Sequence, residues 1–130
     1  MNSEEKSRVE EQVTAAIAAH AMWKQHLRIA IQTGATDTPV ETIRVDNQCV
    51  FGKWLYSDSI SPRVKQSPEY QKVLKLHADF HKVAARVAEL AISGRAAEAE
   101  TLMKVNGEYA IASAQLTRAM MDWKKKVAAL

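Results

Sequence analysis

The chain has 130 residues and a formal net charge of +3, enough for one domain with a modest core. Hydrophobic residues make up 47% and charged residues 25%, the balance of a globular protein rather than a disordered or fibrous one. Acidic and basic residues are interleaved, and the one basic cluster, Lys124-Lys125-Lys126, complements the last turn of a helix, so the electrostatic footprint of a nucleic-acid binder is missing.

There is a single cysteine, Cys49. No intrachain disulfide can form, and a lone thiol suits a reducing compartment. The segment from Met1 to Glu11 is charged, with no apolar core behind it as a secretory leader would need. No apolar run reaches bilayer length, so membrane insertion is not expected. Together these features predict a cytoplasmic protein.

Asn2 or Ser3 can cap a first helix, with Glu4 and Glu5 well placed in its first turn. Val9, Val13, Ala16, Ile17, Trp23, Leu27 and Ile31 then form one apolar stripe, and Gly34 supplies a stop. The spacing predicts one continuous helix over about residues 3–33. Thr38-Pro39-Val40-Glu41 has the cap, first-turn proline and third-position glutamate of a further helix start. From Asn47 to Ser57 the pattern predicts a second short helix, or a tight turn followed by one, carrying Cys49.

Ser67-Pro68-Glu69 opens the next helix. Its stripe is Tyr70, Val73, Leu74, His77, Phe80, His81, Ala84, Val87, Leu90 and Ala91, closed by Gly94. The last helix is predicted over about residues 95–127, with Gly107 weakening its middle by about 1 kcal/mol relative to alanine. The fold class is therefore all-α, a four-helix bundle of three long helices plus a short broken segment carrying Cys49. Helices of roughly 40–50 Å at 1.5 Å per residue exceed what a compact monomer needs, and they point to packing against a second copy.

Three of the four histidines lie on apolar stripes. His20 sits in the first, and His77 and His81, four residues apart, project from one face of the third long helix. Buried imidazoles need partners for both ring nitrogens, and a shared metal ion supplies one for each. Three imidazoles and the Cys49 thiolate complete a tetrahedron, which suits Zn2+. Gly52 lets the Cys49 segment approach the long helices closely. His26 lies about 120° around the helix from His20 and serves as a control, expected to be exposed and not a ligand. Spacing alone leaves the alternative open, a metal-free helical dimerisation module whose histidines are merely buried.

The pieces Ala19-His20-Ala21-Met22-Trp23, Cys49-Val50-Phe51-Gly52-Lys53-Trp54-Leu55 and His77-Ala78-Asp79-Phe80-His81 resemble, in order and separation, the chemoreceptor zinc-binding domain of bacterial signalling proteins. The resemblance covers nearly the whole chain, and the Cys-x-Phe-Gly-x-Trp piece is the most specific. It implies a zinc site of His20, Cys49, His77 and His81 in a homodimeric four-helix bundle. It implies regulation of a signalling output, a chemotaxis receptor module or a cyclic-di-GMP-synthesising diguanylate cyclase, by zinc or by oxidants such as hypochlorous acid acting on Cys49. Asp46, three residues before Cys49, is a candidate hydrogen-bond acceptor just outside the ligands or an aid to the reactivity of Cys49, and equally a loop-capping residue. Four protein ligands leave no open metal position, and no acidic residue sits within the His77–His81 pair as a zincin requires, so no enzyme is expected. Too few inward histidines and no paired carboxylates speak against a di-iron bundle.

Overall fold

The computed structural model describes residues 1–130 and contains helices and connecting turns, with no strand. In chain order the helices are α1 (Ser3–Ala21), α2 (Trp23–Thr33), α3 (Val40–Arg44), α4 (Val50–Leu55), α5 (Pro62–Lys65), α6 (Pro68–Ile92), α7 (Ala96–Met103) and α8 (Glu108–Ala128). The all-α class and the helical bundle are as expected. No helix is long and apolar enough to cross a membrane.

Local chemistry sets most boundaries. The Asn2 side chain accepts from the Glu5 N–H at 2.9 Å and opens α1. Ser67 opens α6 by accepting from the Tyr70 N–H, with Pro68 in the first turn. Gly34 and Gly94 take left-handed backbone at φ 72° and 76°, ending α2 and following α6. Pro39, expected inside the first turn of α3, stands just before it with φ −56° and ψ 140°. The short α5 has a start signal of its own, Ser61, whose side chain accepts from the Val64 N–H, followed by Pro62.

Two long helices divide. The first breaks at Met22, where the Met22 N–H turns back to the Ala19 carbonyl at 3.2 Å, a tighter step than the α-helical one. Nearby, the His20 ring takes up the Ala16 carbonyl at 2.8 Å, so this turn serves the side chain as well as the helix. The last helix divides over Lys104–Gly107. Asn106 has φ 69°, a conformation that asparagine tolerates better than most residues. A Cβ on Gly107 would lie 2.5 Å from the Leu102 carbonyl oxygen and 2.8 Å from that of Thr101. Gly107 is therefore a required turn residue rather than a weak point in a continuous helix. The longest helix is α6, 25 residues or roughly 37 Å, so helix length no longer argues for a second copy.

α6 is the central element, packed against α8, α3, α7 and α2, while α1 lies against α8 and α4. Val73, Phe80, Ala84, Val87 and Ala88 of α6 are buried together with Val13, Leu55, Leu116, Met120 and Trp123. Burying such side chains contributes about 1.5–3 kcal/mol each for the larger ones. Trp54 and Trp123 are buried as expected, whereas Trp23 is only partly so. All three segments that carry candidate ligands, α1, α4 and α6, thus rest on the same core.

Candidate metal centre

His20 comes from the last turn of α1, Cys49 from the residue that precedes α4, and His77 and His81 from the middle of α6. All three imidazoles are buried, at 7%, 0% and 2% exposure, and Cys49 is partly buried. One donor atom from each of the four lies within 4.8 Å of every other. His26 is exposed, its ring tilted against Trp23 at 5.4 Å.

The donor set fits a tetrahedral ion. Bonds of about 2.0–2.1 Å to nitrogen and 2.3 Å to sulfur imply edges of about 3.3 Å between nitrogens and 3.6 Å between nitrogen and sulfur. Here His77 Nε2 lies 3.1 Å from the Nε2 atoms of both His20 and His81. Cys49 Sγ lies 3.4 Å from His77 Nε2 and 3.6 Å from His81 Nε2.

The outer ring nitrogens explain why the Nε2 atoms face one another. His20 Nδ1 meets the Ala16 carbonyl at 2.8 Å, and His81 Nδ1 meets the Ile43 carbonyl at 2.9 Å. A carbonyl only accepts, so both rings carry their proton on Nδ1 and present a bare lone pair at Nε2. Those two bare nitrogens flank His77 Nε2 in a buried pocket, where their lone pairs need either a proton on His77 Nε2, which can serve one of them well, or a cation, which serves all three. His77 Nδ1 is the exception, buried without a hydrogen-bond partner.

Burial also sets protonation. Desolvation, first of all, lowers the His20 pKa from 6.5 to about 4, with the His81 charge adding a little and the Ala16 bond opposing. Desolvation lowers His77 to about 2, helped by the charges of His81 and His20. His81 is lowered by desolvation too, against the Ile43 bond and the Asp46 charge. Burial pushes the Cys49 thiol up, and the Gly52 N–H, 3.3 Å from Sγ, only partly offsets it. At neutral pH the metal-free pocket therefore holds three neutral imidazoles and one protonated thiol. Zinc loading is expected to release about one proton per chain between pH 7 and 8, all from Cys49. Calorimetry in buffers of different ionisation enthalpy reads that number, and a release near zero would remove the thiol from the ligand set.

Aromatic rings close the site. Phe51 lies edge-on to His77 at 5.2 Å, and Phe80 lies 5.3 Å from His20 and 5.8 Å from His81. Asp46 stands beside the cluster rather than in it. Its carboxylate accepts from the Tyr56 hydroxyl at 2.5 Å, and its negative charge bears on Cys49 and His81. The close approach that Gly52 permits is to the Asp46 carbonyl, not to a long helix. The acceptors Ala16 and Ile43 escape any sequence reading, because a carbonyl belongs to every residue. Tyr56 escapes it because no spacing rule links it to Asp46.

Neither curated proteins nor solved structures give a match to the chain. The family model described as the chemoreceptor zinc-binding domain matches residues 20–88, more than half of the sequence and a span that begins at His20 and holds Cys49, His77 and His81. With the donors converging in that span, the chain belongs to the chemoreceptor zinc-binding domain family, a family of zinc-binding signalling domains.

Proposed function

We propose that the chain holds one zinc ion through His20, Cys49, His77 and His81 and senses chemical change at Cys49. The observation that supports this most is the closeness of the donors, 3.1 Å from His77 Nε2 to each of the other two imidazoles and 3.4 and 3.6 Å from Cys49 Sγ to His77 and His81, with the His20 and His81 protons held on the outer side of the rings. Bound zinc supplies the positive charge that keeps Cys49 a thiolate in a pocket that otherwise favours the thiol. Four protein donors leave no place for a substrate, so the site is a sensor rather than a catalyst.

The Cys49 thiolate is the reactive group. With hypochlorous acid, sulfur gives up two electrons and gains a hydroxyl group, chlorine is reduced to chloride, and a sulfenic acid results. A sulfenic acid is the poorer donor, so Cys49 leaves the site while the three histidines stay. Cys49 opens α4 by accepting from the Gly52 N–H, and its departure loosens the start of α4 against the α6 histidines. In this reading two copies pair, and α4 movement passes to a bacterial output, a methyl-accepting chemotaxis receptor or a diguanylate cyclase.

Metal analysis of protein purified without a histidine tag tests the first half, with about one zinc per chain expected; no metal overturns it. Stoichiometric hypochlorous acid followed by mass spectrometry tests the second. Cys49 is expected to oxidise before the five methionines. If Cys49 stays reduced while methionines oxidise, the redox half falls and zinc itself becomes the signal.

A further inference from the structure

Tyr56 and Asp46 bracket α4 from its two ends. Tyr56 is the residue that follows the helix, and Asp46 lies in the loop between α3 and α4. The phenol donates to Asp46 Oδ2 at 2.5 Å, the short end of the range for a hydroxyl on a carboxylate. The backbone of the same loop lies on Gly52, where a Cβ would sit 1.7 Å from the Asp46 carbonyl oxygen. At its upstream end the Ile43 carbonyl accepts from His81 Nδ1. Asn47 and Gln48, next before Cys49, are exposed. The chain leading into Cys49 is therefore held by the Gly52 contact, the Ile43 bond, the Arg44–Glu89 ion pair and the Tyr56–Asp46 pair, and of these the last is the side-chain hydrogen bond that ties the loop to the residue after α4. Their places on either side of α4 in the chain make the pair a clasp that closes the loop over the helix.

We propose that Tyr56 is a positioning residue that clasps the Asp46 loop onto α4 and so keeps Cys49 seated among the histidines and shielded from attack. The proposal rests on the four-ligand reading above. Tyr56→Phe removes one oxygen and keeps the ring. Its zinc content is expected to match wild type, because three histidines remain. Alkylation of Cys49 by iodoacetamide in the zinc-loaded full chain is expected to rise roughly three- to tenfold, the range that loss of one charge-assisted hydrogen bond allows at a half-exposed pair. Asp46→Ala is expected to give the same rise, and the Tyr56→Phe, Asp46→Ala double variant no more than either. Asp46→Asn keeps an acceptor for the phenol and is expected to stay near the wild-type rate, which a general loss of packing would not produce.

A cobalt-loaded wild type without a sulfur-to-cobalt charge-transfer band would show that Cys49 is not a ligand, and the underlying reading would fall with it. A protected wild type with an equally protected Tyr56→Phe variant would overturn the clasp alone. So would an Asp46→Asn rate as high as that of Asp46→Ala, since charge rather than the hydrogen bond would then be responsible.

Discussion

Gly52→Ala is expected to remove Cys49 from the metal and to destabilise the whole domain. The new Cβ would fall 1.7 Å from the Asp46 carbonyl oxygen, 2.8 Å from its carbon and 3.2 Å from the Asn47 Cα. All three atoms are backbone, so no side-chain rotation relieves the clash, and α4 or the loop must shift by more than 1 Å. A zinc–sulfur bond of about 2.3 Å tolerates shifts of only a few tenths of an ångström. Cys49 is the residue that opens α4, and it cannot keep its place if the helix moves. Phe51, Trp54 and Leu55 on the same helix are buried, so the shift also disrupts the core at a cost on the order of 3 kcal/mol or more. Cobalt substitution reads the first effect. The sulfur-to-cobalt charge-transfer band expected of wild type should vanish while histidine-bound cobalt persists, and the thermal midpoint is expected to fall by about 10 °C. A Gly52→Ala protein with an intact band and midpoint would mean that the loop yields without cost.

The reason this glycine matters was only half visible in the sequence. Its position, three residues after Cys49, signalled a close approach, but the approaching backbone belongs to the preceding loop. The same division runs through the molecule. His20, His77 and His81 were legible because apolar residues recur around each at helical spacing, and burial of an imidazole demands a partner. The start of α6 was legible because Ser67, Pro68 and Glu69 each favour a first turn for a separate local reason. The break at Met22 was not, because no glycine or proline marks it. The turn at Lys104–Gly107 was misread as a weakness because its cause is the approach of carbonyls from the preceding turn, which no residue pattern displays. The outer acceptors of His20 and His81 are carbonyls, and which carbonyl a ring meets is decided only when the helices have packed.

Removing the metal is expected to have the largest effect of all, and acid is expected to deepen it. A ligand bound at a thousand times its Kd stabilises a fold by about 4 kcal/mol, and chelation removes that term at once. His77→Ala is expected to lose the zinc as well, because His77 stands 3.1 Å from both other imidazoles. What remains in the metal-free protein is three histidines that resist protonation. His20 titrates near 4 folded against an ordinary 6.5, so between those values the unfolded chain binds more protons than the folded one. Its contribution is complete above pH 6.5 and is lost as the pH falls toward 4, on the order of 3 kcal/mol. His77, lowered further, extends the loss to more acid conditions. Urea unfolding of the chelated protein at pH 7.5 and pH 5 is therefore expected to show a clear fall in stability. The chelated His77→Ala protein, though weaker at pH 7.5, is expected to lose less over the same interval, because one resisting group is gone. Equal stability at the two pH values would mean that the imidazoles reach water once the metal leaves, and that the zinc ion rather than the surrounding core holds the pocket closed.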